Sequence, residues 1–530
     1  MTISPLSLPE NYWSDFKVSD NDLEFLYNHL LEIELPRTPE ELLHAIVEER
    51  IRQEKRSIEN RQQENATIYL PKNQYEKGQK LLFPILNWSN GEVIEVRKGN
   101  NPDVPPFDVI KVLFSNGEIH HFAAKLQDHI LNNPVSVNTD DPNLDINKVL
   151  KKYGRALLER LTNALETSPD LVRIAGRWFP RALLVDVNIG HLNLAEALLE
   201  MEGGGPLSTR SILDQIELPT DVNPKLTEFS LNLALQEDGR FDEVGSSGEV
   251  LWFLRRLEPD NVKITPHYLR YQPIQYDKES IKRIYELLQG QVVDELEPFE
   301  ESKPNHNKVV ISLIFPHWKA GTLPFAGKVT HIIPGAIESP RVRFTFIDGE
   351  SGDKFSGWVV RPEKYVYGLA EWYNSQSLIP GSIVHVERGS HIGEIIVRAE
   401  KRRSTREWIR TALIGVDGGI VFAMLKQPIA AGYDEHMTIA IPDLAAIDQI
   451  WSTSGRQKPS LEEVVIAMMR ELSKLNPQGH IHAQELYAAV NIVRRCPPGP
   501  ILNLLTNRSW ASYIGDLYFR LNDAVSGESS

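Results

Sequence analysis

The run Leu231-Asn232-Leu233-Ala234-Leu235-Gln236-Glu237-Asp238-Gly239-Arg240-Phe241-Asp242-Glu243-Val244-Gly245 changes periodicity at its middle. Before Asp238-Gly239, Leu226, Phe229 and Leu233 fall on one face of a helix that begins at Pro224. After it, Arg240 to Gly245 and Val250-Leu251-Trp252-Phe253-Leu254 read as two strands around the turn Ser246-Ser247-Gly248. Upstream, Leu192 to Met201 is apolar at helical spacing and stops at Gly203-Gly204-Gly205-Pro206. Ser208 or Thr209 then caps a second helix carrying Ile212, Leu213 and Ile216. Three helices followed by a hairpin is the order of a winged helix.

Residues 188–260 resemble the HARE-HTH family of winged helices, which includes the bacterial RNA polymerase delta subunit and modules attached to restriction and chromatin proteins. The step Asp238-Gly239-Arg240-Phe241 into the first wing strand, with Trp252 on the second, carries the likeness. In a winged helix the third helix enters the major groove and the wing touches the backbone or minor groove. The resemblance therefore nominates Lys225, Thr227 and Asn232 on the helix, with Ser246 and Ser247 on the wing. Glu228 and Gln236-Glu237-Asp238 oppose phosphate, which leaves a protein partner open for this module.

The same order returns over 458–524. Helical runs at Leu461 to Leu475, Ala483 to Val490 and Pro500 to Leu505 precede strand-like runs at Trp510 to Ile514 and Leu517 to Leu521. This second module offers Arg494, Arg495, Asn507 and Arg508 to nucleic acid. Between the modules, 308–445 is β-rich. Its order is a strand Val342 to Ile347, a tryptophan-bearing strand Phe355 to Val360, a short aromatic helix and a glycine-led strand from Pro380. Over about 308–400 that order resembles the pseudobarrel DNA-binding domains of plant transcription factors and some restriction enzymes.

Toward the N-terminus, 1–70 reads as helical and 75–130 as a small barrel resembling Tudor domains, with turns at Ser89-Asn90-Gly91 and Ser115-Asn116-Gly117. The first winged helix and its flanking helices take 146–290, and 291–307 is an acidic linker containing Asp294-Glu295-Leu296-Glu297. The expected fold is thus α+β and multidomain: two winged-helix modules, two small β-barrel modules and a helical start.

At 530 residues the chain exceeds one core. Its net charge of −15 argues against non-specific coating of nucleic acid, so any contact must rest on particular faces. The run Lys401, Arg402, Arg403, Arg406 and Arg410, interleaved with Trp408, offers such a face, with a solvated linker or an intramolecular partner for the acidic segments as the alternative reading. Trp252, Trp358 and Trp510 read instead as core aromatics.

One cysteine, Cys496, excludes a disulfide framework and paired-thiolate zinc. Phosphate-loop, GxGxxG, HExxH and GxSxG motifs are missing. His120-His121 and His480/His482 lack ligand spacing for a metal, and Asp260 with Lys263 or Asp443 falls short of a nuclease motif. Expected is a cytoplasmic, bacterial-type, non-catalytic protein without cofactor or metal and without membrane association. It would act on duplex DNA or in transcription. The alternatives are an acidic interaction scaffold or RNA polymerase accessory factor, and the recognition subunit of a defence or restriction system.

Overall fold

The computed structural model describes residues 8, 11–63, 67–83, 86, 89–101, 104–114, 117–132, 141–216, 218, 222–246, 248–288, 290–297, 307–416, 418–452 and 459–522. The chain is mixed α and β and divides into two compact units, Met1–Val185 with Thr220–Phe229, and Asp186–Pro219 with Ser230–Ser530. The span expected over 146–290 is therefore split, because its first helix, Ile146–Glu166, and the hairpin Leu171–Ile174/Arg177–Pro180 belong to the N-terminal unit.

In that unit the helices Asp20–Ile33 and Pro39–Gln63 are joined by an ion pair. Arg50 donates to Asp22 at 2.7 Å, while Asp22 also closes a capping box with Ser19. A five-stranded sheet follows in sequential order: Thr67–Ile68, Lys80–Phe83, Ser89–Lys98, Asp108–Phe114 and Ile119–Ala124. Ile110, Val112 and Phe114 alternate inward, and Tyr69, Phe83, Phe114 and Phe122 form a ring cluster. Ser89-Asn90-Gly91 is strand rather than the expected turn. A Cβ on Gly91 would lie 2.4 Å from Val112 Cγ1, so close approach of the strands explains this glycine. Of the second expected turn, Ser115 and Asn116 lie outside the described residues, and Gly117 takes φ +84°.

Two segments of the chain share one element order. The first runs helix Ile189–Met201, strand Leu207–Ser208, helices Thr209–Leu213 and Pro224–Glu237, then strands Phe241–Glu243 and Leu251–Leu254. The unit boundary crosses the helix Pro224–Glu237. The second runs helix Leu461–Ser473, strand His480–His482, helices Ala483–Val493 and Pro498–Asn507, then strands Ala511–Gly515 and Tyr518–Leu521. In both, the last strand is central, between the first and the second. Leu199, Ile212, Leu231, Leu235 and Trp252 fill the first core, and Val465, Met469, Leu486 and Phe519 lie in the second.

Between them lies a curled seven-stranded sheet. Its order is Lys308–Ser312, Ile383–Arg388, Glu394–Ala399, Arg341–Asp348, Lys354–Val360, Tyr365–Tyr367 and Thr322–Pro324, with the third and fourth parallel. The strand Arg341–Asp348 alternates strictly, burying Val342, Phe344, Phe346 and Asp348. A long two-stranded ribbon, Lys401–Ile414 and Ile420–Ala431, continues from the strand Glu394–Ala399. Among the described residues no helix is long and apolar enough to cross a membrane.

Candidate nucleic-acid interface

The ribbon's register sets which side chains share a face. Trp408 pairs with Lys426, Arg406 with Pro428 and Arg410 with Met424, so all six project from one side. Trp408 is 61% exposed, and Lys426 Nζ lies 5.4 Å from its ring centroid. Arg403, Arg406 and Lys426 are exposed, and Met424 adds apolar surface on the same face. The indole of Trp408 is thus left largely in water, in contrast to the buried position usual for tryptophan.

The ribbon is anchored elsewhere along its length. Ile409 and Ile429 pack with Ala440, and Ala412, Ile420 and Phe422 join the core shared with the C-terminal segment. Arg410 belongs to this anchor, since it donates to Glu485 at 2.8 Å and to the carbonyls of His436 and Thr438. Lys401 is ion-paired with Glu350. Arg402 lies 3.5 Å from Glu407 and 5.2 Å from the ring centroid of Tyr433. The basic run thus separates into an anchored set and a presented set.

The other nominated residues disperse. Lys225 is exposed at the start of its helix. Thr227 and Asn232 are buried, which corrects their expected role in groove reading. Asn232 Oδ1 accepts from Trp252 Nε1 at 3.0 Å and is also bonded to Thr209, so it satisfies a core indole. Ser246 is half-buried and its carbonyl accepts from Glu249 N at 2.9 Å; Ser247 lies outside the described residues. The hairpin itself is no free wing. Arg343 N donates to Val244 O at 2.9 Å, and the ring of Phe253 meets Trp358 edge-on at 5.2 Å, so one hairpin face packs on the seven-stranded sheet.

In the C-terminal segment Arg495 is fully buried, which corrects its assignment to nucleic acid. Its guanidinium donates to Asp294 at 2.7 Å and Glu295 at 2.9 Å. Asp294 also accepts from Tyr487, and Glu295 contacts His317 at 2.8 Å. Burial opposes ionisation of Glu295, but the Arg495 guanidinium and the His317 imidazole outweigh it and hold the carboxyl far below the usual range. Asp294-Glu295, expected in a linker, is an internal counter-ion. Glu297 continues the pattern by accepting from Gly499 N at 2.7 Å at the head of the helix Pro498–Asn507. Of the remaining linker, 298–306 lies outside the described residues.

Asn507 donates to Ser280 Oγ at 3.0 Å, Arg494 to the Pro459 carbonyl at 3.2 Å, and Arg508 pairs with Glu462 at 3.0 Å. Arg508 remains half exposed. The tryptophans expected inside are inside: Trp252, Trp358 and Trp510 are buried.

His120 is exposed near Glu118, whereas His482 stacks on His436 at 4.1 Å, with Glu485 hydrogen-bonded to His436. Asp260 and Lys263 pair with each other at 3.0 Å. Among the described residues no group of three or more His, Cys, Asp or Glu side chains is disposed to hold a metal. No protein-family model, curated protein or solved structure matches the chain significantly.

Proposed function

We propose that the chain is a non-catalytic nucleic-acid-binding protein of the DNA or transcription apparatus, and that the ribbon makes its principal contact. The observation that carries this reading is the exposed Trp408, flanked on its own face by Arg406 and Lys426. A two-stranded ribbon fits the major groove of a duplex, its cations meet phosphates and its indole can stack on a base. The repeated order of helices and strands supports taking both segments as winged helices. The curled sheet with Trp358 on an inner strand agrees with a pseudobarrel. An acidic interaction scaffold is the second reading, favoured by the net charge of −15.

Fluorescence anisotropy with labelled duplex and single-stranded DNA, from low to physiological salt, tests the proposal. Saturable duplex binding that weakens steeply with salt and fails in Trp408→Ala and Arg403→Ala/Arg406→Ala is expected. Absence of binding at low salt, or equal binding by those variants, rejects it and turns attention to RNA polymerase and other protein partners.

A further inference from the structure

The helix Ile146–Glu166 of the N-terminal unit carries Lys148, Lys151, Lys152 and Arg155 in its first half, with no carboxylate from Ile146 to Leu158. At 3.6 residues per turn these four positions fall within about 100° of arc and about 10 Å of helix axis, so they form one stripe. All four are exposed, whereas Val149, Leu157, Leu161 and Leu165 are buried elsewhere around the helix. Arg160, off the stripe, is used internally and donates to the Phe16 carbonyl at 2.8 Å.

This placement works against the helix. The macrodipole favours acids in the first turn and cations in the last. Here Lys148 stands in the first turn and Glu166 in the last, with Glu159 also in the C-terminal half. Like charges three and four residues apart along the stripe repel one another as well. Neighbouring carboxylates do little to relieve this. Lys148 lies 3.8 Å from Asp145, beyond hydrogen-bonding range, and both side chains are exposed enough for water to screen them. Lys152 Nζ lies 4.9 Å from the ring centroid of Tyr153. Lys151 and Arg155 have no carboxylate partner among the described residues. A local arrangement that lowers helix stability without a structural return is expected at a functional surface.

We infer that this stripe is a contact for the nucleic-acid backbone, made by the N-terminal unit and directed at phosphate, not at bases. No large apolar side chain of this helix is exposed. A helix that lies on a membrane needs such side chains to enter the lipid, and a protein partner needs an aromatic or aliphatic anchor at the centre of its interface. Phosphates need neither, because lysine and arginine alone neutralise them and release their condensed counterions, whatever the sequence. The ammonium groups act as movable point charges and the fork of Arg155 matches two phosphate oxygens. The inference rests on the nucleic-acid reading of the chain but shares no residue with the ribbon.

The test is fluorescence anisotropy of the full chain with two labelled duplexes of unrelated sequence, over a series of salt concentrations. Lys148→Gln/Lys151→Gln/Lys152→Gln/Arg155→Gln is expected to bind both duplexes about tenfold or more weakly and to the same degree. The slope of log affinity against log salt should shrink in magnitude by about 2–4. The same variant should unfold no earlier than the wild type on heating, because the charges it removes oppose the macrodipole. Glu159→Lys, which lengthens the stripe by one turn, should tighten binding to both duplexes. Absence of duplex binding by the wild type, or unchanged affinity and slope in the four-site variant, overturns the inference. Trp408→Ala scores the ribbon separately. Weak binding by Trp408→Ala beside unchanged binding by the four-site variant leaves the ribbon and removes the stripe. The converse result keeps the stripe and rejects the ribbon as the principal contact.

Discussion

Arg495 and Asp294 stand 201 residues apart in the chain and 2.7 Å apart in the fold, with both side chains fully excluded from solvent. Glu295 is the second counter-ion and Tyr487 donates to Asp294. Removing one member of such a pair leaves an uncompensated charge in a medium that cannot solvate it. Arg495→Ala should therefore cost about 3–5 kcal/mol in the denaturant transition of this unit. Arg508→Ala, which removes a half-exposed pair with Glu462, should cost about 1 kcal/mol or less. Urea titrations of the two variants compare them directly, and equal losses would contradict the burial argument.

Trp408→Ala should separate stability from binding. The indole is mostly in water, so unfolding should shift by no more than about 0.5 kcal/mol. Duplex affinity should fall with little change in salt dependence. Arg403→Ala/Arg406→Ala should instead reduce the magnitude of the slope of log affinity against log salt by about 1–2, since each phosphate that is no longer neutralised keeps its counterion.

Glu258 supplies a pH test. Burial, then the neighbouring Asp242, push its carboxyl up to about 8, against the opposing pull of Arg341 and Arg255. The folded chain keeps this proton across a range in which the unfolded chain has released it. The associated stability is therefore complete below about 4.5 and is lost as pH rises through 8. Glu258→Gln, which keeps the neutral shape, should stabilise the protein more at pH 8.5 than at pH 5. Thermal unfolding at those two pH values is the measurement, and a gain confined to pH 5 would reverse the assignment.

His482 titrates with the opposite sign. Burial, then the stacked His436, lower its pKa to about 4, so the native state excludes a proton that the unfolded chain accepts below 6.5. This contribution is present above 6.5 and is lost as pH falls toward 4. His482 also caps the helix Ala483–Val493, accepting from Gln484 N. His482→Asn keeps a capping side chain and removes the titration. Its loss of stability between pH 6.5 and 4 should be shallower than that of the wild type, as read by denaturant midpoints.

Local grammar was legible where it depends on neighbours in sequence. Asp238-Gly239 ends a helix, Arg240 to Val244 and Leu251 to Leu254 pair, and Trp252 fills the core beneath them. Which members of the basic run are presented was not legible, since Arg410 is anchored on Glu485 while Trp408, two residues away, stays in water. The strands Leu207–Ser208 and His480–His482 were not legible either, since two or three residues show no period. Distant pairing was equally hidden. Asp294-Glu295 has a linker's composition, and nothing near Arg495 separates it from its neighbour Arg494, yet one is internal and the other half-buried at the surface. Asn232 looked like a groove reader because helical spacing alone does not reveal that Trp252 requires an acceptor there.

The internal counter-ion also limits how the chain can be dissected. A fragment starting at the β-rich region near 308 would contain Arg495, Tyr487 and Gly499 but neither Asp294, Glu295 nor Glu297. It would carry an unneutralised guanidinium in its core and an uncapped helix end, and its poor solubility would say nothing about the natural protein. An expression boundary drawn ahead of the helix Lys278–Leu288 keeps the missing carboxylates with the segment they complete.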